Sequence, residues 1–187
     1  MIITIRGTGG SGKSTLVRGL LKQGQAQPIY GLLGPKKPEA YRLALGKSQA
    51  FILGPYEAPR TAVGCDIIDG KFGGCSSIAS LIRKYEPKGH VVFEGAMISA
   101  TWGALGALLE EYGQKVTILF LDTSLEQCLK NIGARGKTDR RLHSVELKFR
   151  YISNLYRRLK EEGRLQVRMI SVENGLGVLL ELLRDGH

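Results

Sequence analysis

Short apolar runs alternate along this chain with stretches whose apolar residues recur every three or four positions, and that alternation predicts most of its elements. MIITIR (residues 1–6) reads as a buried strand. The next segment, STLVRGLLKQG (14–24), sets Leu16, Val17, Leu20 and Leu21 on one helical face. PIYGLL (28–33) predicts a second strand, and PEAYRLALGK (38–47) a short helix opened by a proline at a permitted position. Residues 51–74 are dense in Gly and Pro and predict substrate-side loops. A helix carrying Ile78, Leu81, Ile82 and Tyr85 follows, closed by EPKG. HVVFEG (90–95) is continuously apolar up to its acid, as a fully buried strand is.

The second half repeats the pattern. A helix through Leu105, Leu109 and Tyr112 precedes the strand KVTILFLD (115–122). Thr123 and Glu126 stand at capping-box spacing and open a helix that Gly133 closes. Val145, Phe149, Ile152, Tyr156 and Leu159 mark a longer helix starting at Ser144, then LQVRMISV (165–172) a strand and LGVLLELL (176–183) a last helix. Strands alternating with helices predict a parallel sheet covered on both faces, a three-layer α/β fold.

Composition narrows the class. At 187 residues with 43% apolar content, one domain spanning residues 1–187 is expected, globular rather than disordered. No run of eighteen apolar residues is present, so no membrane partner is expected, and no basic, apolar leader opens the chain. Cys65, Cys75 and Cys128 fit neither a disulfide framework nor a zinc knuckle, which suits a cytoplasmic protein. The net charge of +10 changes the picture more, because eleven Lys or Arg against four acids fall within residues 135–168. Such a stretch is either a solvated, phosphate-binding face or a surface for nucleic acid.

The chemistry starts at GTGGSGKS (7–14), which matches G-x-x-x-x-G-K-[ST] between a predicted strand and a predicted helix. Backbone N–H groups of Thr8, Gly9, Gly10, Ser11, Gly12 and Lys13 can converge on phosphate oxygens, and Gly7 begins the turn. Lys13 can reach the β- and γ-phosphates, Ser14 offers a hydroxyl to Mg²⁺, and Thr15 can touch the α-phosphate. ATP and Mg²⁺ are therefore the expected donor pair. Two apolar strands end in an acid, at Glu94 and at Asp122. Asp122 runs straight into capping residues, whereas Glu94 is followed by glycine, so Glu94 is the expected catalytic carboxylate. It can act as a base toward an alcohol acceptor or orient Mg²⁺ through water. ARGKTDRR (134–141) places Arg135, Arg140 and Arg141 on a short connection, suited to a lid near residues 135–143 that neutralises the transferring phosphoryl group. VENG (172–175) predicts a turn under the nucleotide base.

In the order of these parts the chain resembles the thymidylate-kinase-like branch of P-loop kinases. The resemblance implies a five-stranded parallel sheet, ATP with Mg²⁺, a nucleotide-type acceptor and a homodimer. VGCDII (63–68) and IRKYEPKGHVVFEGAMIS (82–99) resemble a phage-encoded subgroup, the 5-hydroxymethyluracil DNA kinases. These phosphorylate the 5-hydroxymethyl group of a base already in DNA, a step toward hypermodified thymidines that evade restriction. That resemblance implies residues 7–14 as the ATP loop, Glu94 as the catalytic acid, and Asp66 with Cys65 lining the acceptor pocket. The chain has Phe-Glu-Gly where thymidylate kinases carry an Asp-Arg pair, which argues against a bound nucleotide monophosphate. A DNA acceptor would give the basic stretch a role and offer Trp102 a base to stack on; Trp102 as core, and Asp66 as a turn residue, are the plainer readings. Two other functions fit the loop: a kinase of free deoxynucleosides or deoxynucleoside monophosphates, and a regulatory nucleotide-binding protein.

Overall fold

The computed structural model describes residues 1–57, 63–71, 74–134 and 139–185. Seven strands form one sheet: β1 (Ile2–Arg6), β2 (Ala26–Ile29), β3 (Ala40–Leu45), β4 (Ser48–Leu53), β5 (His90–Glu94), β6 (Val116–Leu121) and β7 (Gln166–Ile170). Their order is β2-β3-β4-β5-β1-β6-β7. The block β4-β5-β1-β6-β7 is parallel throughout, and β2 and β3 extend it as antiparallel strands. The expected five-stranded parallel sheet is thus a seven-stranded, mostly parallel one.

The two strands not expected are β3 and β4, and β3 comes from a misread period. Ala40–Leu45 was expected as a helix, yet Tyr41, Leu43 and Leu45 are buried while Arg42 and Ala44 are exposed, the two-residue alternation of a strand. Its helix-forming alanines and leucines are overridden by pairing with β4, in register Ala40↔Leu53 to Leu45↔Ser48. Residues 51–53, expected as loop, belong to β4, and Cys65–Lys71 forms helix α2 (α1 being Lys13–Leu21). The strand expected at 28–33 ends at Ile29, because Gly31 and Gly34 turn the chain back on itself.

Helices cover both faces: α3 (Cys75–Tyr85), α4 (Ala96–Ser99), α5 (Gly103–Tyr112), α6 (Leu125–Gly133), α7 (Asp139–Glu162) and α8 (Val172–Asp185). Alternate residues of the central strands feed two cores. Ile2, Val91, Phe93, Ile118 and Phe120 pack under α3, α5 and α7. Ile3, Ile5, Val92 and Leu119 pack under α1 and α8. β1, β5 and β6 are buried on both faces, which is why these central runs are continuously apolar.

Three helix starts differ from expectation. The cap of α6 is Ser124, whose Oγ accepts the Gln127 N–H at 3.2 Å; Thr123 instead donates to the glycine loop. α7 opens at Asp139, five residues before Ser144. VENG forms the first turn of α8, where Ser171 and Asn174 exchange side-chain and backbone hydrogen bonds.

Candidate active site

β1 ends at Arg6 and the chain turns through the glycine loop into α1. Gly10 and Gly12 have φ of 81° and 99°, a region that strains any L side chain. A side-chain carbon on Gly10 would overlap the Cys128 carbonyl, so the loop is also seated hard against α6. Gly12 caps α1 without any side-chain hydrogen bond, leaving the helix N-terminal N–H groups as donors. Neighbouring elements strap the loop from outside. Asn131 Nδ2 donates to the Gly10 carbonyl at 2.8 Å, Thr123 Oγ1 to Ser11 at 2.9 Å, and Thr8 Oγ1 to Val145 at 3.2 Å. A loop strapped in this way can receive an anion on its backbone N–H groups. The Lys13 ammonium, buried, donates to the Gly7 and Thr8 carbonyls at 2.7 and 2.9 Å. Burial lowers its pKa, against the pull of Glu94 and Asp66.

Register then brings the acid to the loop. Glu94 pairs with Ile5 across the β1–β5 ladder, one residue short of the turn. Ser14 Oγ donates to Glu94 Oε1 at 2.9 Å. The carboxyl is 1% exposed, and burial raises its pKa from 4.5 to about 7, with Lys13 and the Ser14 hydroxyl opposing. A group poised near neutrality can hold or release a proton during turnover.

Asp66, in the first turn of α2, reaches the same place. Its two carboxylate oxygens accept the backbone N–H groups of Ala96 and Met97, each at 2.9 Å. It therefore ties α2 to the turn after Glu94, and its charge pushes the Glu94 pKa upward. Trp102 is placed elsewhere. Its indole N–H donates to Glu110 at 2.9 Å, and its ring lies 5.1 Å from the Arg6 guanidinium and 6.0 Å from that of Arg158. Arg6 alternates with Ile5 along β1, so this group sits on the sheet face opposite Glu94. Arg135 lies outside the described residues. Arg140 and Arg141 run in the first turn of α7, and their side chains are likewise outside them.

The sequence reading missed Tyr56 and Arg18, which lie near Glu94, and Tyr41 and Glu57, which hold the Tyr56 segment. The Tyr41 hydroxyl donates to Glu57 and accepts the Tyr56 N–H at 3.2 Å. Arg18 Nε donates to the Tyr56 carbonyl at 3.3 Å. The Tyr56 hydroxyl is buried and has no hydrogen-bond partner among the described residues. It stands 2.7 Å, and Glu94 Oε1 2.8 Å, from where a side-chain carbon on Gly64 would lie. Burial beside Glu94 holds the phenol well above its ordinary pKa, so it keeps its proton. Tyr56 and Glu57 fall in the Gly- and Pro-rich stretch, where periodicity carries no signal. The buried Arg6 was missed too, though a charge ending an apolar strand is visible in MIITIR; its Nη1 donates to the carbonyls of Ile98, Ser99 and Thr101 and closes the end of α4.

No protein-family model matches the chain. Two curated proteins do: a 5-hmdU DNA kinase of Pseudomonas phage PaMx11 is 34% identical over 143 residues, covering 72% of this chain and 68% of the relative. Another, from Pseudomonas phage M6, is 31% identical over 137 residues, covering 72% and 71%. Among solved structures, a deoxyadenosine kinase from M. mycoides, with products dCMP and a flexible dCDP bound, superposes with a TM-score of 0.50 at 12% identity. It covers 100% of this chain and 98% of its own, a likeness of fold.

Proposed function

Since the chain belongs to the 5-hmdU DNA kinase family, we propose that it transfers the γ-phosphoryl group of ATP to the 5-hydroxymethyl group of 5-hydroxymethyluracil in DNA, giving 5-phosphomethyl-deoxyuridine, a step in phage thymidine hypermodification. One observation carries the reading: a buried carboxyl with a pKa of about 7 stands where the phosphate cradle meets the acceptor side. An acceptor that is already a phosphate has no proton to lose. A primary alcohol does, and a base in reach of it contributes about 10²–10⁴-fold.

In this reading the loop N–H groups and Lys13 bind the triphosphate, and Thr15 lies against the α-phosphate. Glu94 takes the hydroxymethyl proton as the alcohol oxygen bonds the γ-phosphorus and the bond to the β-phosphate bridging oxygen breaks, releasing ADP. The Tyr56 hydroxyl supplies the acceptor with a hydrogen-bond donor, and Asp66 keeps the Glu94 turn in place. Arg135, Arg140 and Arg141 offset charge on the phosphoryl group, and the exposed arginines and lysines of α7, among them Arg150, Arg157 and Lys160, face the DNA backbone. The oxygen donors beside the cradle suit a hard divalent cation: the Ser14 hydroxyl, with Glu94 behind it, would hold Mg²⁺, which when bound screens the phosphate charge.

The test offers labelled ATP with Mg²⁺ to 5-hydroxymethyluracil DNA, to thymine DNA, and to free nucleosides and nucleoside monophosphates. Label on the hydroxymethylated DNA alone is the expected result. Label on a free nucleotide, with none on DNA, overturns the reading and makes the protein a kinase of nucleotide metabolism.

A further inference from the structure

Topology places one more feature at the acceptor side. β3 runs antiparallel to β4, and β4 parallel to β5, so the connection from β2 to β3 (residues 30–39) rises at the edge of the sheet that bears Glu94. It adjoins the start of the Tyr56 segment directly, the Gly54 N–H donating to the Glu39 carbonyl at 2.7 Å. The glycine loop, α6 and α7 lie on the other side of Glu94.

This loop is built to hold its shape. Glu39, 1% exposed, accepts the Leu32 N–H and the Tyr85 hydroxyl, each at 2.6 Å, and pairs with Lys84. Leu33 is buried in the core beneath α3. The Gly34 N–H closes the turn onto the Gly31 carbonyl at 2.9 Å. Yet its outward side chains are an aromatic ring and a leucine, Tyr30 at 50% and Leu32 at 40% exposure, next to the exposed Lys36 and Lys37. With the loop's one acid turned inward, the charge it presents outward is purely positive.

We infer that residues 30–39 form a rigid wing that grips the acceptor strand beside the target base, Tyr30 stacking on a flanking base, Leu32 packing against it, and Lys36 and Lys37 taking phosphates. The inference rests on the DNA reading above. An aromatic ring among lysines is the chemistry that holds a strand without reading its sequence. Geometry also sets the reach. The wing spans two strand spacings from β5 at its β3 end to three at its β2 end, about 10–14 Å at ~4.8 Å each, or roughly three to four nucleotides at ~3.4 Å of rise. The contacts therefore fall two to four nucleotides from the modified base, on one side of it.

The experiment compares wild type, Y30A/L32A and K36A/K37A by fluorescence anisotropy on a 5-hydroxymethyluracil 25-mer across a salt series, with turnover on the same oligonucleotide. All four side chains are exposed, so both variants should melt as wild type does. Each should bind the 25-mer at least tenfold more weakly and raise its KM alike, with kcat unchanged. K36A/K37A should also flatten the slope of log K against log salt by about 1.4–1.8. Trimming the flank on one side of the target to a single nucleotide should erase the difference between variants and wild type. Unchanged binding in both variants overturns the wing whatever the turnover. Loss of self-association in Y30A/L32A, with DNA binding intact, overturns it in favour of a contact between two copies of the chain. If wild type binds the 25-mer through these residues but transfers no label to it, the wing stands and the proposed reaction falls.

Discussion

Ser14 and Glu94, eighty residues apart in the chain, meet across a 2.9 Å hydrogen bond that joins the first turn of α1 to the last residue of β5. The bond ties the phosphate cradle to the carboxyl proposed to activate the acceptor. Substituting Glu94→Gln should lower kcat on 5-hydroxymethyluracil DNA by about 10²–10⁴-fold, with the KM for ATP within a few fold of wild type. A glutamine keeps an oxygen for the Ser14 hydroxyl, so an unchanged kcat with only the ATP KM raised would remove Glu94 from the chemistry. Single-turnover kinetics at saturating ATP make the distinction.

The same carboxyl gives the fold a pH dependence of defined sign. Its folded pKa, about 7, lies above its ordinary 4.5. Between those values the folded chain keeps a proton that the unfolded chain has released. This group's share of the stability is therefore intact below pH 4.5 and is lost as pH rises through 7. The full shift corresponds to about 3 kcal/mol at 1.36 kcal/mol per pH unit. Denaturant unfolding in EDTA, without nucleotide, should show stability falling from pH 5 to 8, and Glu94→Gln should flatten most of that slope. A wild-type curve parallel to the Gln variant's would show that the carboxyl ionises as an exposed one does.

Tyr56→Phe separates support from substrate contact. Its hydroxyl has no partner among the described residues, so deleting it should leave the melting temperature unchanged or slightly raised. The KM for the DNA acceptor should nonetheless rise about tenfold, on the 1–3 kcal/mol cost of leaving a buried polar group unmet, with ATP binding untouched. Equal KM values in the two proteins would exclude the contact.

Two glycines should respond in opposite ways. Gly10→Ala meets both a positive φ and the Cys128 carbonyl, and should abolish ATP binding and destabilise the loop's contact with α6. Gly177→Ala, exposed in the middle of α8 with nothing within 4 Å of the new carbon, should stabilise the protein by about 0.5–1 kcal/mol. Calorimetry and nucleotide-binding isotherms on the two variants check both signs.

How far the site was legible follows from how local each signal is. Residues 7–14 and Glu94 could be read because their cues sit within a few positions: glycine spacing, a strand before, a helix after, an apolar run broken by one acid. Asp66 was named through family likeness alone, and its contact with the N–H groups of Ala96 and Met97 needed α2 and α4 to pack together. Tyr41, Tyr56 and Arg18 carry no motif. Ala40–Leu45 was misassigned because its helix-favouring composition competes with a two-residue burial pattern that only pairing with β4 resolves.

By itself, then, the sequence determined that this is a layered α/β protein with a glycine-rich loop between a strand and a helix and an acid at the end of a buried strand, since backbone conformation and hydrophobic period are written residue by residue. The tertiary structure decided the rest: that β2 and β3 widen the sheet, that Glu94 is held near neutrality, that Tyr56 stands beside it, and that residues 30–39 share its edge. Strand order and the burial of a charge depend on which distant segments exclude water from one another, and no window of neighbouring residues contains that information.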